Sequence, residues 1–138
     1  MSRIKKLLYL ILALAIIAFS IYYYVFIYST THHRNVQSEK AIIIQANSLS
    51  AAYQINEKNA NTLYLNKAVE VSGTLLSIGK NQEGKTTLIL GSSNSFFNVS
   101  VSLISTEPIT QKIGETITIK GVCTGALSDV IITEGVVK

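Results

Sequence analysis

AVEVSGTLLSI, residues 68–78, is the stretch of the chain that decides its fold. Small and apolar residues first occupy every second position, which is the pattern of a strand with one buried face. These positions are Val69, Val71, Gly73 and Leu75. Leu76 and Ile78 then take the opposite phase, so the buried face must change near Gly73, at a bulge or a bend. A strand that bends in this way favours a barrel, because it contributes to two faces of one closed sheet.

Four segments downstream also alternate like strands and are separated by turn residues. They are TTLILG (86–91), FFNVSVSL (96–103), GETITIKGVCTG (114–125) and VIITEGVV (130–137). KNQEGK (80–85) is a polar hairpin loop, and residues 104–114 have room for about one helical turn around Pro108. Five strands, the first of them bent, predict a small, partly open barrel of the OB type. The alternative is an open five-stranded sandwich.

Helical segments precede the barrel. IIIQA (42–46) is a predicted short strand, and Asn47 or Ser48 can cap a helix behind it. A second helix is predicted from apolar positions at helical spacing, namely Ala60, Leu63 and Tyr64. The sequence therefore predicts a mainly β domain with N-terminal helices over residues 42–138.

Residues 7–28, LLYLILALAIIAFSIYYYVFIY, contain no charged residue, no glycine and no proline. As a helix, this segment would span about 33 Å, which matches the apolar core of a bilayer. Tyrosine and phenylalanine are concentrated at its distal end, where aromatic rings favour the membrane interface. We expect a transmembrane helix, followed by a juxtamembrane linker over residues 29–41.

The basic residues predict the orientation of this helix. Arg3, Lys5 and Lys6 precede it, so the positive-inside rule places residues 1–6 in the cytoplasm. The domain behind the helix then lies outside, in the periplasm or beyond the cell. The expected location is the bacterial cytoplasmic (inner) membrane.

The net charge of +4 comes entirely from the region around the predicted helix. Residues 1–34 contain Arg3, Lys5, Lys6 and Arg34 and no carboxylate, and from residue 35 onward eight lysines balance eight carboxylates. The basic isoelectric point therefore indicates membrane topology and does not indicate a polyanionic partner for the domain.

A candidate ligand face follows from the third predicted strand. Its outward row is Asn98, Ser100 and Ser102, Phe96 points outward by the same parity, and Lys120 lies on the outward side of the fourth strand. Small neutral side chains suit contact with a peptide, a glycan or a protein better than stacking against nucleic-acid bases.

The sequence offers no credible catalytic or metal site. Cys123 is the only cysteine, which excludes an intramolecular disulfide, and it shares an apolar face with Ile117 and Ile119. We expect a buried, unreactive thiol. His32 and His33, even with Glu39, do not have a recognisable metal-ligand spacing. No cofactor is expected.

The blocks ANTLYLNKAVEVSGTL and IGETITIKGVCTGALSDVIIT together resemble a bacterial family named tRNA_anti-like, after the anticodon-binding OB fold. The resemblance extends from about Glu39 to the end of the chain. It rests on Ala60, Tyr64, Lys67, Val69, Val71 and Gly73 in the first block and on Gly114, Lys120, Gly121, Cys123, Gly125 and Asp129 in the second. It implies an OB-like domain with a helix before its first strand, behind an export signal or an anchor.

These observations predict a membrane-anchored, outward-facing binding or interaction module with no catalytic activity. The expected partner is an envelope protein or a peptide or glycan ligand, and nucleic acid is not expected. One alternative is an OB protein that binds single-stranded nucleic acid. The other is an envelope enzyme of unknown reaction.

Overall fold

The computed structural model describes residues 2–28, 34–106 and 108–138. The chain forms two compact units, Met1–Asn35 and Val36–Lys138. His32, His33 and Glu107 lie outside the described residues, so the prediction for the two histidines is not addressed by the structure.

The first unit contains a continuous helical segment over Arg3–Tyr28. Helix α1 spans Arg3–Tyr23, a π-helical turn follows over Tyr24–Tyr28, and none of their side chains is buried. Within the described residues, Arg3–Tyr28 is the one helix long and apolar enough to cross a membrane, with a mean hydropathy of 2.5 over its best window. The aromatic side chains stack along this segment, with a centroid distance of 4.9 Å between Tyr22 and Phe26.

The second unit begins with short elements that precede the barrel. A 3₁₀ turn at Val36–Ser38 is followed by strand β1 (Ile42–Gln45), helix α2 (Ala46–Ile55) and helix α3 (Glu57–Tyr64). Helix α2 begins directly after β1, with Gln45 as its N-cap, so neither Asn47 nor Ser48 caps it. Helix α3 has a side-chain cap, because Asn56 Oδ1 accepts a hydrogen bond of 3.0 Å from the Asn59 backbone N–H.

Five strands form the barrel. They are β2 (Ala68–Lys80), β3 (Thr86–Gly91), β4 (Val99–Leu103), β5 (Thr116–Ala126) and β6 (Val130–Val137). The sheet order is β1-β2-β3-β4-β6-β5, and pairing of β2 with β5 closes it. The pairing of β4 with β6 is parallel, whereas the other pairings within the barrel are antiparallel. The predicted OB-like barrel is confirmed, and β1 adds a sixth strand at the edge, parallel to β2.

Strand β2 is irregular where the sequence predicted it. Its pairing with β3 shifts register between Leu75 and Ser77, which is the position of the change in phase. The first half of β2 pairs with β5 and the second half with β3, so one strand serves two parts of the wall. Ile78, beyond the bulge, is still 42% exposed, so the phase change does not bury it.

The core fills the barrel and continues under α2. Val71, Leu88, Val101 and Ile119 are fully buried side chains from four different strands. Helix α2 can approach the wall closely because β2 has a glycine there: a Cβ atom built on Gly73 would lie 2.6 Å from the Ala46 Cβ. Leu49 and Tyr53 of α2 complete this core.

Two segments differ from the sequence predictions. The helical turn predicted within residues 104–114 does not form in their described part, and Ile109 packs against the core there. Val36 packs against Ala68 and Val122 on the outside of the barrel. The compact unit therefore begins at Val36, and the second half of the predicted linker over residues 29–41 belongs to it.

Candidate ligand-binding face

The outer surface of strands β3, β4 and β6 carries six uncharged, half-buried side chains, which we call the serine–threonine face. They are Thr87 and Ile89 of β3, Ser100 and Ser102 of β4, and Ile131 and Thr133 of β6. Their strand neighbours point inward and are fully buried, as Leu88, Val101 and Ile132 illustrate.

The pairing register arranges this face in two rows. Ile89 pairs with Ser100, which in turn pairs with Ile131, so one row has a hydroxyl between two aliphatic side chains. Thr87 pairs with Ser102 in the second row. Neighbouring strands lie about 4.8 Å apart, so each row offers closely spaced hydroxyl and methyl groups across the strands.

Phe96 does not lie in a strand. It occupies the β3–β4 loop and its side chain is fully exposed, whereas the neighbouring Phe97 packs against the core. The predicted third strand was therefore too long, since β4 begins at Val99.

Asn98 holds this loop in shape and does not contribute to the open face. Its Oδ1 accepts from the Ser92 backbone N–H at 3.1 Å, and its Nδ2 donates to the Ser95 carbonyl at 3.0 Å. Its backbone N–H donates to Asp129 Oδ1 at 2.8 Å, which joins the β3–β4 and β5–β6 loops. Phe96 is thus presented on a loop that is fixed at its base.

Lys120 is not brought to the serine–threonine face. It points outward from β5, as its parity predicts, but only 8% of it is exposed because the segment after Val36 covers it. Its Nζ donates to the Gln37 carbonyl at 2.8 Å and to the Glu39 carbonyl. Lys120 therefore attaches this segment to the barrel.

The charges at the end of the face are mixed. A cavity of about 430 Å³ adjoins Ser102 and Thr133, and its charged lining residues are Glu83, Lys85 and Glu134. Lys85 Nζ lies 2.9 Å from Glu83 Oε2, so the one ammonium group there is already paired. This end of the face does not form a phosphate-binding groove.

Cys123 is buried beneath α2, as predicted. Its Sγ lies 3.3 Å from the Tyr53 hydroxyl. Burial, together with this hydrogen bond, raises the pKa of the Tyr53 phenol above its ordinary value. A phenol that holds its proton is a poor base for a thiol, so this contact stabilises the core and does not activate the thiol.

Ile89 and Ile131 were not singled out from the sequence. Alternation places both on the outer side of their strands, but an aliphatic side chain has no chemical signature of binding, and the register that aligns them with Ser100 is tertiary information.

The closed barrel with this strand order is that of an OB-fold protein. The chain belongs to the tRNA_anti-like family, whose profile matches residues 1–135. No curated protein matches the sequence.

Two solved structures align with the chain. A lipoprotein from Klebsiella pneumoniae subsp. pneumoniae MGH 78578, whose name proposes nucleic-acid binding, aligns with a TM-score of 0.55 at 15% identity, over 70% of this chain and 92% of that chain. A structure of yeast Stn1 and Ten1 aligns with a TM-score of 0.42 at 11% identity, over 73% of this chain and 64% of that chain. At these identities the likeness to the lipoprotein shows the fold alone.

Proposed function

We propose that the chain is a membrane-anchored, outward-facing OB-fold interaction module that binds a partner through the serine–threonine face and catalyses no reaction. The preferred partner is an envelope protein, and a peptide or glycan is the alternative ligand of the same face. The observation that carries the proposal is the composition of the face, on which all six half-buried side chains are uncharged. Such surfaces gain affinity from shape and from hydrogen bonds rather than from counterion release.

The anchor is the apolar helix Arg3–Tyr28. Arg3, Lys5 and Lys6 at its start support a cytoplasmic N-terminus, since cytoplasmic flanks are enriched in basic residues. We assign residues 1–6 to the cytoplasm and residues 7–28 to the bacterial cytoplasmic membrane. Residues 29–35 connect the helix to the barrel unit along the chain.

Variants of the serine–threonine face test this function. The full-length protein, extracted with surrounding lipid into nanodiscs, should retain a co-purifying partner that is lost in Ser100→Arg and Ser102→Arg. Thr62→Arg is the matched control, because Thr62 is exposed on α3. Retention of the same partner by both face variants, or its loss in the control as well, would contradict the proposal.

Binding of single-stranded nucleic acid is the second candidate, and exposed Phe96 is the observation that favours it. Against it, the charges beyond residue 34 balance to zero and the face has no lysine or arginine. We expect no saturable binding of labelled single-stranded DNA or RNA in fluorescence anisotropy at physiological salt. Micromolar binding that weakens with salt and is lost in Phe96→Ala would make nucleic-acid binding the preferred function.

A further inference from the structure

A second concavity lies between helix α3 and the β5–β6 hairpin. Its volume is about 410 Å³, and the residues that define it chemically are Glu57, Asn61, Leu65, Thr124, Leu127 and Ile131. Ile131 also belongs to the serine–threonine face, so a partner bound to that face lies next to the opening of this pocket.

The apolar part of the pocket is open to a partner. Leu127 is 85% exposed and Leu65 is 36% exposed. Gly125 lines the pocket. Its backbone φ of +105° is positive, a conformation that favours glycine. A Cβ atom at this position would lie 3.6 Å from Leu65 Cδ1 and 3.8 Å from Asn61 Oδ1, so the missing side chain leaves room between helix and hairpin.

The polar groups of the pocket share one property, which is that they accept hydrogen bonds. Asn61 Oδ1 is buried and has no hydrogen-bond partner among the described residues. Glu57 forms no salt bridge with the described part of the chain. The Thr124 hydroxyl donates its proton to the Ile131 carbonyl at 3.2 Å, which leaves its own lone pairs free. Among the described residues that line the pocket there is no lysine or arginine.

A buried acceptor without a donor is unfavourable, and native proteins keep few of them. Here Asn61 lines a cavity that also contains an aliphatic wall and a carboxylate without a salt bridge to any described residue. A ligand that matches the acceptor, the carboxylate and the aliphatic wall must have hydrogen-bond donors, a positive charge and a flexible apolar stem. Lysine and arginine side chains combine these properties.

We infer that this pocket binds a basic side chain of the partner protein. Its methylene stem lies on Leu65 and Leu127, and its cationic head meets Glu57 and donates to Asn61 Oδ1. The inference rests on the proposed function, because it names the chemistry by which the protein partner is recognised beside the serine–threonine face.

The test is a nuclear magnetic resonance titration of the full-length, nitrogen-15-labelled protein in micelles. The probe is a capped Gly-Leu-Lys-Leu-Gly peptide, and the control peptide has norleucine in place of the central lysine. We expect saturable shifts at the amides of Asn61, Gly125 and Leu127 with the lysine peptide only. Equal shifts with the norleucine peptide, or no saturable shift at these amides, would overturn the inference.

Two variants separate the polar contacts. Glu57→Gln should weaken binding about threefold to fivefold, as expected for a partly exposed ion pair. Asn61→Leu should weaken it about tenfold or more, because a buried hydrogen bond to a charged group is lost. Glu70→Gln, the same charge change on β2 where Glu70 pairs with Lys138, should leave the affinity unchanged. Unchanged affinity in both pocket variants would contradict the assignment.

Thermal stability gives an independent readout. Asn61→Leu removes the unsatisfied acceptor and should raise Tm by about 4 °C or more while it weakens binding. Asn59→Leu, on an exposed position of the same helix, should change neither property by a comparable amount. If Asn61→Leu lowers Tm or leaves binding intact, Asn61 does not serve a ligand.

The outcomes for this pocket and for the proposed function are distinguishable. Shifts confined to Ser100 and Ser102 would overturn the basic-side-chain pocket and leave the interaction face standing. Loss of the co-purifying partner in Asn61→Leu and Glu57→Gln, as well as in the face variants, is the result that supports both.

Discussion

Cys123 and Tyr53 form a single buried pair. Although a lone cysteine suggests reactivity, we expect this one to be unreactive. The thiol belongs to the barrel core, and the phenol of α2 lies 3.3 Å from it. Because both side chains are almost completely enclosed, reagents in water do not reach the sulfur.

Maleimide labelling tests this enclosure. We expect no reaction of Cys123 in the folded protein and one equivalent of label after denaturation. A protein with the added substitution Ser102→Cys should label at once in the folded state, because that position is on the outer face. Rapid labelling of the native protein without this substitution would reopen a redox or nucleophilic role for Cys123.

The raised pKa of Tyr53 predicts a loss of stability in alkali. An unfolded tyrosine loses its proton near pH ~10, whereas the folded one keeps it to higher pH. Above pH ~10 the unfolded state therefore binds fewer protons, and the free energy of unfolding falls by up to about 1.4 kcal/mol per pH unit from this group.

Urea unfolding of residues 36–138 at several values from pH ~8 to pH ~11 measures this effect. Tyr53→Phe should be less stable near neutrality, since it loses the hydrogen bond to Cys123, and its stability should fall less steeply in alkali. The same slope in both proteins would show that Tyr53 does not carry the effect.

Among the elements, the strands were the most predictable part of the fold. The bounds predicted for β3 and β6 are those of the structure, because each strand alternates between two turns. Strand β4 is shorter than predicted, since Asn98 uses its side chain to close a loop instead of extending the sheet. The edge strand β1 was recognised from its composition, but its parallel pairing with β2 was not, because register is set by distant contacts.

The candidate site was predictable in part, for a similar reason. Alternation alone places Ser100 and Ser102 on an outer surface. The roles of Asn98 and Lys120 depend on Asp129 and Gln37, which lie far away in sequence, so parity could give their direction but not their partners. The pocket at Asn61 required the contact between α3 and the β5–β6 hairpin, which no local pattern reports.

Lys120 holds the segment after Val36 to the barrel. The substitution Lys120→Met should therefore have a localised effect. Loss of the hydrogen bonds to Gln37 and Glu39 should cost about 1 to 3 kcal/mol of stability. Hydrogen exchange should accelerate in residues 36–41 and much less in the barrel strands. Lys80→Met, at an exposed position, is the matched control. Uniform acceleration of hydrogen exchange throughout the barrel would contradict the prediction that Lys120 fixes only residues 36–41.

At the scale of the whole molecule, charge is divided between the two units. The surplus of +4 comes from residues 1–34, whereas the charges from residue 35 onward balance. The basic residues before the apolar helix support the proposed orientation, and a neutral domain is expected to gain little from association with a polyanion.

This division predicts that protease added to intact spheroplasts digests the domain of residues 36–138 and leaves a membrane-protected N-terminal fragment. Inverted membrane vesicles, used as the control, should protect the domain. The reverse pattern would place the domain in the cytoplasm and remove the envelope partner from consideration.

The proposed contact is between the serine–threonine face and a protein partner outside the cytoplasmic membrane. Site-specific photo-crosslinking in living cells tests it most directly, with a benzophenone amino acid at Ser102 and a control at Asn59, which is exposed on α3. We predict a discrete adduct from Ser102 that protease destroys and nuclease leaves intact, with no such adduct from Asn59. A nuclease-sensitive adduct from Ser102, or the same adducts from both positions, would contradict the claim.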